Sequence, residues 1–268
     1  MKRSTGRTFA FLLPVVFGAS ALGVAAVAVT RALVPPEALA ESNDVIGNYL
    51  QTLGGIYAVL LAFVVFVVWT QFNDARGHVE REANELADLW RTVQALGAEE
   101  MAGPLRRYVA GVVDEEWPAM AHRDDATLDR IGDILEEEWE RVHSFEPKTS
   151  CHEALHADAL DRFHDLCDAR TERVLAARMH IPLALWLLLA MGAIVLVGSF
   201  LLIGVKSFAV HAIITGAMAG AVSHILYLIY DLDSAFSGAW RVSPEPFEQV
   251  RRLMANQKPN GGSTPTTS

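Results

Sequence analysis

Long apolar runs and charge-rich segments alternate along the chain instead of mixing. No charged side chain occurs between Asp44 and Asp74, and an equally bare stretch lies between His180 and Lys206. Phe9 to Val29 is another uninterrupted run, and from Ser207 to Tyr230 the only ionisable groups are His211, His224 and tyrosines. A helix needs about 20 apolar residues to cross a hydrocarbon core ~30 Å thick, so each run is long enough. The pattern predicts an all-α protein with four transmembrane helices in two pairs, at about 9–30, 48–71, 181–204 and 208–230. A helical domain is expected between the pairs, since no segment keeps up the alternation of a strand.

Within that middle domain, Val79, Ala83, Leu86, Leu89, Val93 and Leu96 recur every three or four residues and continue from the second span without a breaker. One long helix is expected there. A second is expected from about Pro104 to Trp117, ending near Pro118, and Asp124 can cap a third with Leu128, Ile131, Leu135, Trp139 and Val142 on its core face. Pro147 breaks the chain, and a fourth helix is expected from about Ser150 directly into the third span. Beyond the fourth span, Ser243 is a suitable N-cap with Pro244 at the first helical position, opening a short amphipathic helix that carries Phe247, Val250, Leu253 and Met254. The expected organisation is an N-terminal pair (1–72), a middle domain (73–180), a second pair (181–230), a tail (231–257) and a disordered end (258–268) rich in Pro, Gly, Ser and Thr.

Charge sharpens this division. The formal net charge is −10, yet residues 73–180 hold 25 acidic against 13 basic side chains, a balance of −12. Such a domain lacks the basic face that nucleic acid requires. Lys and Arg flank the membrane ends on one side: Lys2, Arg3 and Arg7, then Arg76 and Arg81, then Arg170, Arg173 and Arg178, then Arg241, Arg251 and Arg252. By the positive-inside rule both termini and the middle domain face the cytoplasm of a cell whose inner membrane holds the chain. The first run resembles a secretory signal ending at Ala38-Leu39-Ala40, but its 21 residues exceed the usual apolar core of about 7–15, which favours a retained anchor. Two cysteines, Cys151 and Cys167, do not make a disulfide framework and read as free, buried thiols.

Few residues point to chemistry, and none to catalysis or a bound cofactor. His152-Glu153-Ala-Leu-His156 is a literal H-E-x-x-H, which on a helix could hold zinc. Ser150-Cys-His-Glu153 also fits a capping box, which accounts for the glutamate without chemistry. His224, one turn before Tyr227, is an intramembrane polar candidate, expected to bond a hydroxyl and hold helices together. Gly216-Ala-Met-Ala-Gly220 is a GxxxG pattern suited to close helix packing, within one subunit or between two. Thr52, Val59, Phe63, Phe66 and Thr70 form one stripe on the second span, polar at its ends and aromatic in the middle; it suits either a pore with a dewetting constriction or a face against lipid. Asp231 and Asp233, just past the fourth span, could cap the amino end of a nearby element, pair with Arg76 or Arg241, or bind a hard cation.

The segments Tyr57-Ala-Val-Leu-Leu-Ala-Phe-Val-Val-Phe-Val-Val-Trp69, Glu82-Ala-Asn-Glu-Leu86, Tyr230-Asp-Leu-Asp-Ser-Ala-Phe-Ser-Gly238 and Ser243-Pro-Glu-Pro-Phe247 resemble those of bacterial bestrophin-like membrane proteins, over about Gly47 to Leu253. Ala235 stands where that family's pattern suggests proline. The resemblance implies the plan of bestrophins, pentameric calcium-regulated anion channels whose second span lines the pore. It makes Phe63 and Phe66 gate candidates, Asp231 and Asp233 calcium candidates, and a homo-oligomer in the lipid bilayer the expected assembly. An acidic vestibule would sooner favour cations. The alternative is a non-conducting membrane scaffold or sensor that binds a protein partner, of unknown identity, through the acidic domain.

Overall fold

The computed structural model describes residues 2–122 and 124–256, with side chains from residue 10 onward. Its elements are helices: α1 (Lys2–Leu33), α2 (Pro36–Ala40), α3 (Asn43–Leu96), α4 (Glu99–Gly111), a π-helical turn (Val112–Glu116), α5 (Trp117–His122), α6 (Asp125–Ser144), α7 (Ser150–Arg178), α8 (Leu183–Phe200), α9 (Phe208–Leu232) and α10 (Glu245–Asn256). Four helical stretches are long and apolar enough to cross a bilayer, so the expected all-α class stands. The expected disorder from Lys258 onward falls outside the described residues.

The chain divides into two units. One contains residues 1–72, 179–234 and 238–241 and holds the apolar spans; the other contains 73–178, 235–237 and 242 onward. In the first, Tyr57, Leu61, Val64 and Val68 of α3 form a buried stripe against Leu189 and Leu196 of α8 and Val222 and Ile229 of α9. Tyr57 Oη donates to the carbonyl of Leu189 at 2.8 Å, so the one polar atom on that stripe is satisfied where water is absent. At the opposite end of these helices, Arg31 donates to the carbonyls of Val205 and Lys206 (3.0 and 2.7 Å). Asn43 exchanges two bonds with Gly204 (2.8 and 3.1 Å), tying down the turn between α8 and α9. His211 is buried, with Nε2 3.0 Å from the carbonyl of Phe200.

The GxxxG pattern is used within the subunit. A Cβ on Gly220 would meet Ser20 Oγ at 2.5 Å, and one on Gly216 would meet Val24 Cγ2 at 3.1 Å, so α9 lies directly against α1. Between apolar helices in lipid, this close approach supplies dispersion where a hydrophobic drive is missing. Replacing Gly220 by leucine is expected to separate α1 from α9 and destabilise the chain by about 1–3 kcal/mol through overpacking. Thermal unfolding in detergent measures this, and an unchanged midpoint would contradict it.

The second unit is a bundle in which the expected positions differ from the observed ones at three points. The second helix starts at Glu99, earlier than Pro104, and the chain stays helical through Pro118. Proline lacks an N–H and its ring collides with the carbonyl four residues back, which forbids a regular α turn here. The π turn, closed by Trp117 N–H on the carbonyl of Val112, takes up that misfit without ending the helix. Second, α7 does not run into the third span. It stops at Arg178, and α8 begins after Pro182, which disfavours helical backbone at the residue before it. Third, Thr149, not Ser150, caps α7: its Oγ1 accepts the N–H of His152 at 3.2 Å, leaving Glu153 exposed. Asp124 caps α6 as expected, accepting the Thr127 N–H at 3.4 Å and the Thr127 hydroxyl at 2.7 Å. On α10, Phe247, Val250 and Met254 are buried, and Ser243 Oγ accepts the N–H of Glu245 at 3.2 Å.

Candidate functional site

A 3.6-residue period gives α3 two sides within its apolar half. Its buried stripe is Tyr57, Leu61, Val64 and Val68, and the other side is open. Thr52, Val59, Phe63, Phe66 and Thr70 all lie on that open side, with Val59, Phe63 and Phe66 between 63% and 72% exposed. Each threonine satisfies its own hydroxyl along the helix, Thr52 on the carbonyl of Asn48 (3.1 Å) and Thr70 on that of Phe66 (2.9 Å). The face is therefore continuous, apolar at its centre and polar at both ends.

Asp231 lies in the last turn of α9 and Asp233 just past its end, and two positions apart their side chains leave the chain in different directions. Asp231, 4% exposed, accepts the N–H groups of Ala239 (Oδ1, 2.8 Å) and Trp240 (Oδ2, 2.9 Å). Gly238 makes that loop possible: its φ is 77°, and a Cβ there would meet Asp231 Oδ1 at 2.5 Å. Asp233 accepts the N–H of Ile181 at 2.7 Å and has His180 Nδ1 3.7 Å from its Oδ2. Neither carboxylate pairs with Arg241, and Arg76 binds Glu80 on its own helix at 2.9 Å. The two carboxylates thus accept separate sets of backbone N–H groups, Asp231 from the loop at 239–240 and Asp233 from Ile181.

His224 is exposed on the outside of α9 and bonds no hydroxyl, because its face is not the one that packs against α1 or α8; Tyr227 is half-buried in a groove. Within H-E-x-x-H, His156 Nε2 lies 2.7 Å from the carbonyl of Val142 while Glu153 faces outward. Among the described residues no three His, Cys, Asp or Glu side chains are placed to hold a metal ion. Cys151 is exposed, contrary to the buried reading, and burial pushes the half-buried Cys167 thiol up to about 11.

Two features of the helical bundle escaped the sequence reading. Arg173 of α7, fully buried, grips Glu82 of α3 with Nε and Nη2 (2.6 and 3.1 Å) and reaches Glu116 at 2.9 Å. Arg170 donates to the other oxygen of Glu116 (2.7 Å) and to the carbonyl of Leu128 (2.6 Å), and the hydroxyl of Tyr108 donates to Glu82. The guanidinium of Arg173 also lies 5.6 Å from the ring centre of Phe247 and 5.9 Å from that of Trp117. Burial opposes its charge, but Glu82 and Glu116 outweigh that effect and hold Arg173 well above the usual range. Burial, then Glu82, raises the Tyr108 phenol. Two arginines read as membrane-flanking charge are thus internal ion-pair partners. The second feature is Glu138 on α6, fully buried, with no hydrogen-bond partner for either carboxylate oxygen. Loss of water pushes it up to about 8, against the opposing pull of Arg141 and Arg107.

A search of curated proteins finds no match. Solved structures of a bacterial bestrophin homologue from Klebsiella pneumoniae share the fold. One single-substitution form has a TM-score of 0.70 at 14% identity, covering 90% of this chain and 99% of that one. A second scores 0.69 at 14% identity, with 92% and 97% covered. A form solved by Zn-SAD phasing scores 0.67 at 13% identity, with 90% and 98% covered. The family description "Bestrophin-like domain" matches residues 17–247, and with four helical stretches long and apolar enough to cross a bilayer, the chain is a membrane protein that belongs to the bestrophin-like family.

Proposed function

We propose that this chain is one subunit of a homo-oligomeric ion channel in which the open face of α3 surrounds the pore. The observation that carries the reading is that Thr52, Val59, Phe63, Phe66 and Thr70 share one exposed, continuous face. Around an axis, Phe63 and Phe66 would form an apolar constriction that closes by dewetting, with the threonines at its two mouths. The exposed His224 supports assembly, because an imidazole facing hydrocarbon is costly and is relieved by a neighbouring subunit. Both termini and the 73–178 unit face the cytoplasm of the inner membrane, and the −12 balance over 73–180 makes cations the favoured permeant ions.

Purified protein in planar bilayers tests this. The Phe63→Ala/Phe66→Ala double variant is expected to pass several-fold more current than the parent, with a reversal potential in a KCl gradient on the cation side. A monomeric mass in detergent, with both proteins silent, would sink the channel reading and leave a scaffold that binds through its acidic surface.

A further inference from the structure

On the outer surface of the apolar unit two cavities run into each other. One, about 570 Å³, is walled by Ala19, Leu22 and Gly23 of α1, Ala193 and Val197 of α8, and Leu226 of α9. The other, about 410 Å³, is lined by Phe11, Asp231, Gly238 and Ala239. Val15, Tyr227 and Tyr230 line both, so an apolar trough opens at the end of α9 into a chamber walled in part by two tyrosines and Asp231. Each volume falls in the ~300–1,000 Å³ range of small-molecule sites.

We propose that this double cavity is a binding site for one phospholipid whose headgroup carries a primary ammonium, such as phosphatidylethanolamine. The trough takes an acyl chain. Its exposed rim, with Leu22 at 73% and Ile194 at 72%, faces hydrocarbon in a bilayer. The polar chamber lies where a headgroup would lie, beside Tyr230, which is exposed at the end of the span. Charge selects the headgroup. Among the described residues no Lys, Arg or His lines either cavity, and Asp231 is the one charged group that does. A primary ammonium can donate to Asp231, whose oxygens each accept one N–H and keep a second lone pair, while the tyrosine hydroxyls donate to the phosphate. The site is separate from the α3 face and stands whether or not the protein conducts.

The test is native mass spectrometry of the full chain in detergent micelles doped equally with phosphatidylethanolamine, phosphatidylcholine and phosphatidylglycerol. Preferential retention of phosphatidylethanolamine by about tenfold is expected, the worth of one charge-assisted hydrogen bond. Gly198→Leu blocks the trough without a backbone collision, since a Cβ at Gly198 meets nothing within 4 Å; it should abolish retention. Tyr230→Phe removes one exposed hydroxyl, leaves the packing intact and should weaken retention several-fold. Equal retention of the three lipids, or retention unchanged in both variants, overturns the proposal. So does a wild type that keeps no lipid while Gly198→Leu changes its oligomeric mass, which would make the trough a seat for a second copy.

Discussion

Replacing Arg173 by methionine is expected to cost the full chain about 3–5 kcal/mol, the penalty of leaving buried charge without its partner. Glu82 and Glu116 are both fully buried; Glu82 takes its charged donor from this guanidinium, and Glu116 would keep only Arg170. Methionine fills most of the arginine's volume, so the loss reports the charge and not a cavity. Trp90, Trp117 and Trp139 report on this bundle, and thermal unfolding followed by their fluorescence should fall by roughly 10 °C, taking about 2–4 °C per kcal/mol for a chain of this size. Adding Glu82→Gln and Glu116→Gln to Arg173→Met should recover much of the loss, because a buried ion pair as a whole contributes far less than breaking it costs. A shift of under about 1 kcal/mol in the single variant would show that water reaches the site.

The network gathers its members from α3, α4, α7 and the π turn. A regular α turn at Val112–Glu116 would carry the chain into Pro118 with its ring against the carbonyl of Asp114. The π turn avoids this and brings Glu116 to the end of the widened loop, where it meets both Arg170 and Arg173. One proline, by local sterics, thus helps decide which carboxylate reaches the core.

What the sequence made legible follows from range. The spans, the unbroken length of α3 and its two faces depend on periods of three to twenty residues, and all of these could be read. The cap at Asp124 is likewise local. The ion-pair core was not legible, because Glu82 and Arg173 are 91 positions apart and each looks like ordinary surface charge in its own helix. By sequence alone Arg170 and Arg173 therefore read as membrane-flanking charge. For Asp231 and Asp233 a cap on nearby backbone is one of three readings, and which N–H groups they take, at Ala239, Trp240 and Ile181, is set by the fold. Glu138 had a signal that went unused. Leu128, Ile131, Leu135 and Val142 define the core face of α6, and position 138 falls on that face by the same spacing, within an acidic run that reads as solvated.

Glu138 makes stability depend on pH in a direction opposite to most carboxylates. Its folded-state value of about 8 lies above the ordinary 4.5 because burial disfavours the charged form. Between those values the folded chain keeps a proton that the unfolded chain has lost, so stability falls as pH rises across that window. The slope for one proton is about 1.4 kcal/mol per pH unit, a loss on the order of 3 kcal/mol by pH 7 relative to pH 4.5. Three charged neighbours act on it, Arg141 and Glu137 on its own helix and Arg107 on α4. Arg107 and Arg141 are both committed to Glu137, at 2.6 and 2.7 Å, and so do not neutralise the buried group by direct contact. Glu138→Leu should therefore match the parent near pH 5 and exceed it by a few kcal/mol at pH 8, with the difference growing steadily between. The difference between the two unfolding profiles isolates this residue from every other titrating group. Parallel profiles from pH 5 to 8.5 would mean that Glu138 finds a donor or water on folding, and its orphaned oxygens would then have no thermodynamic consequence.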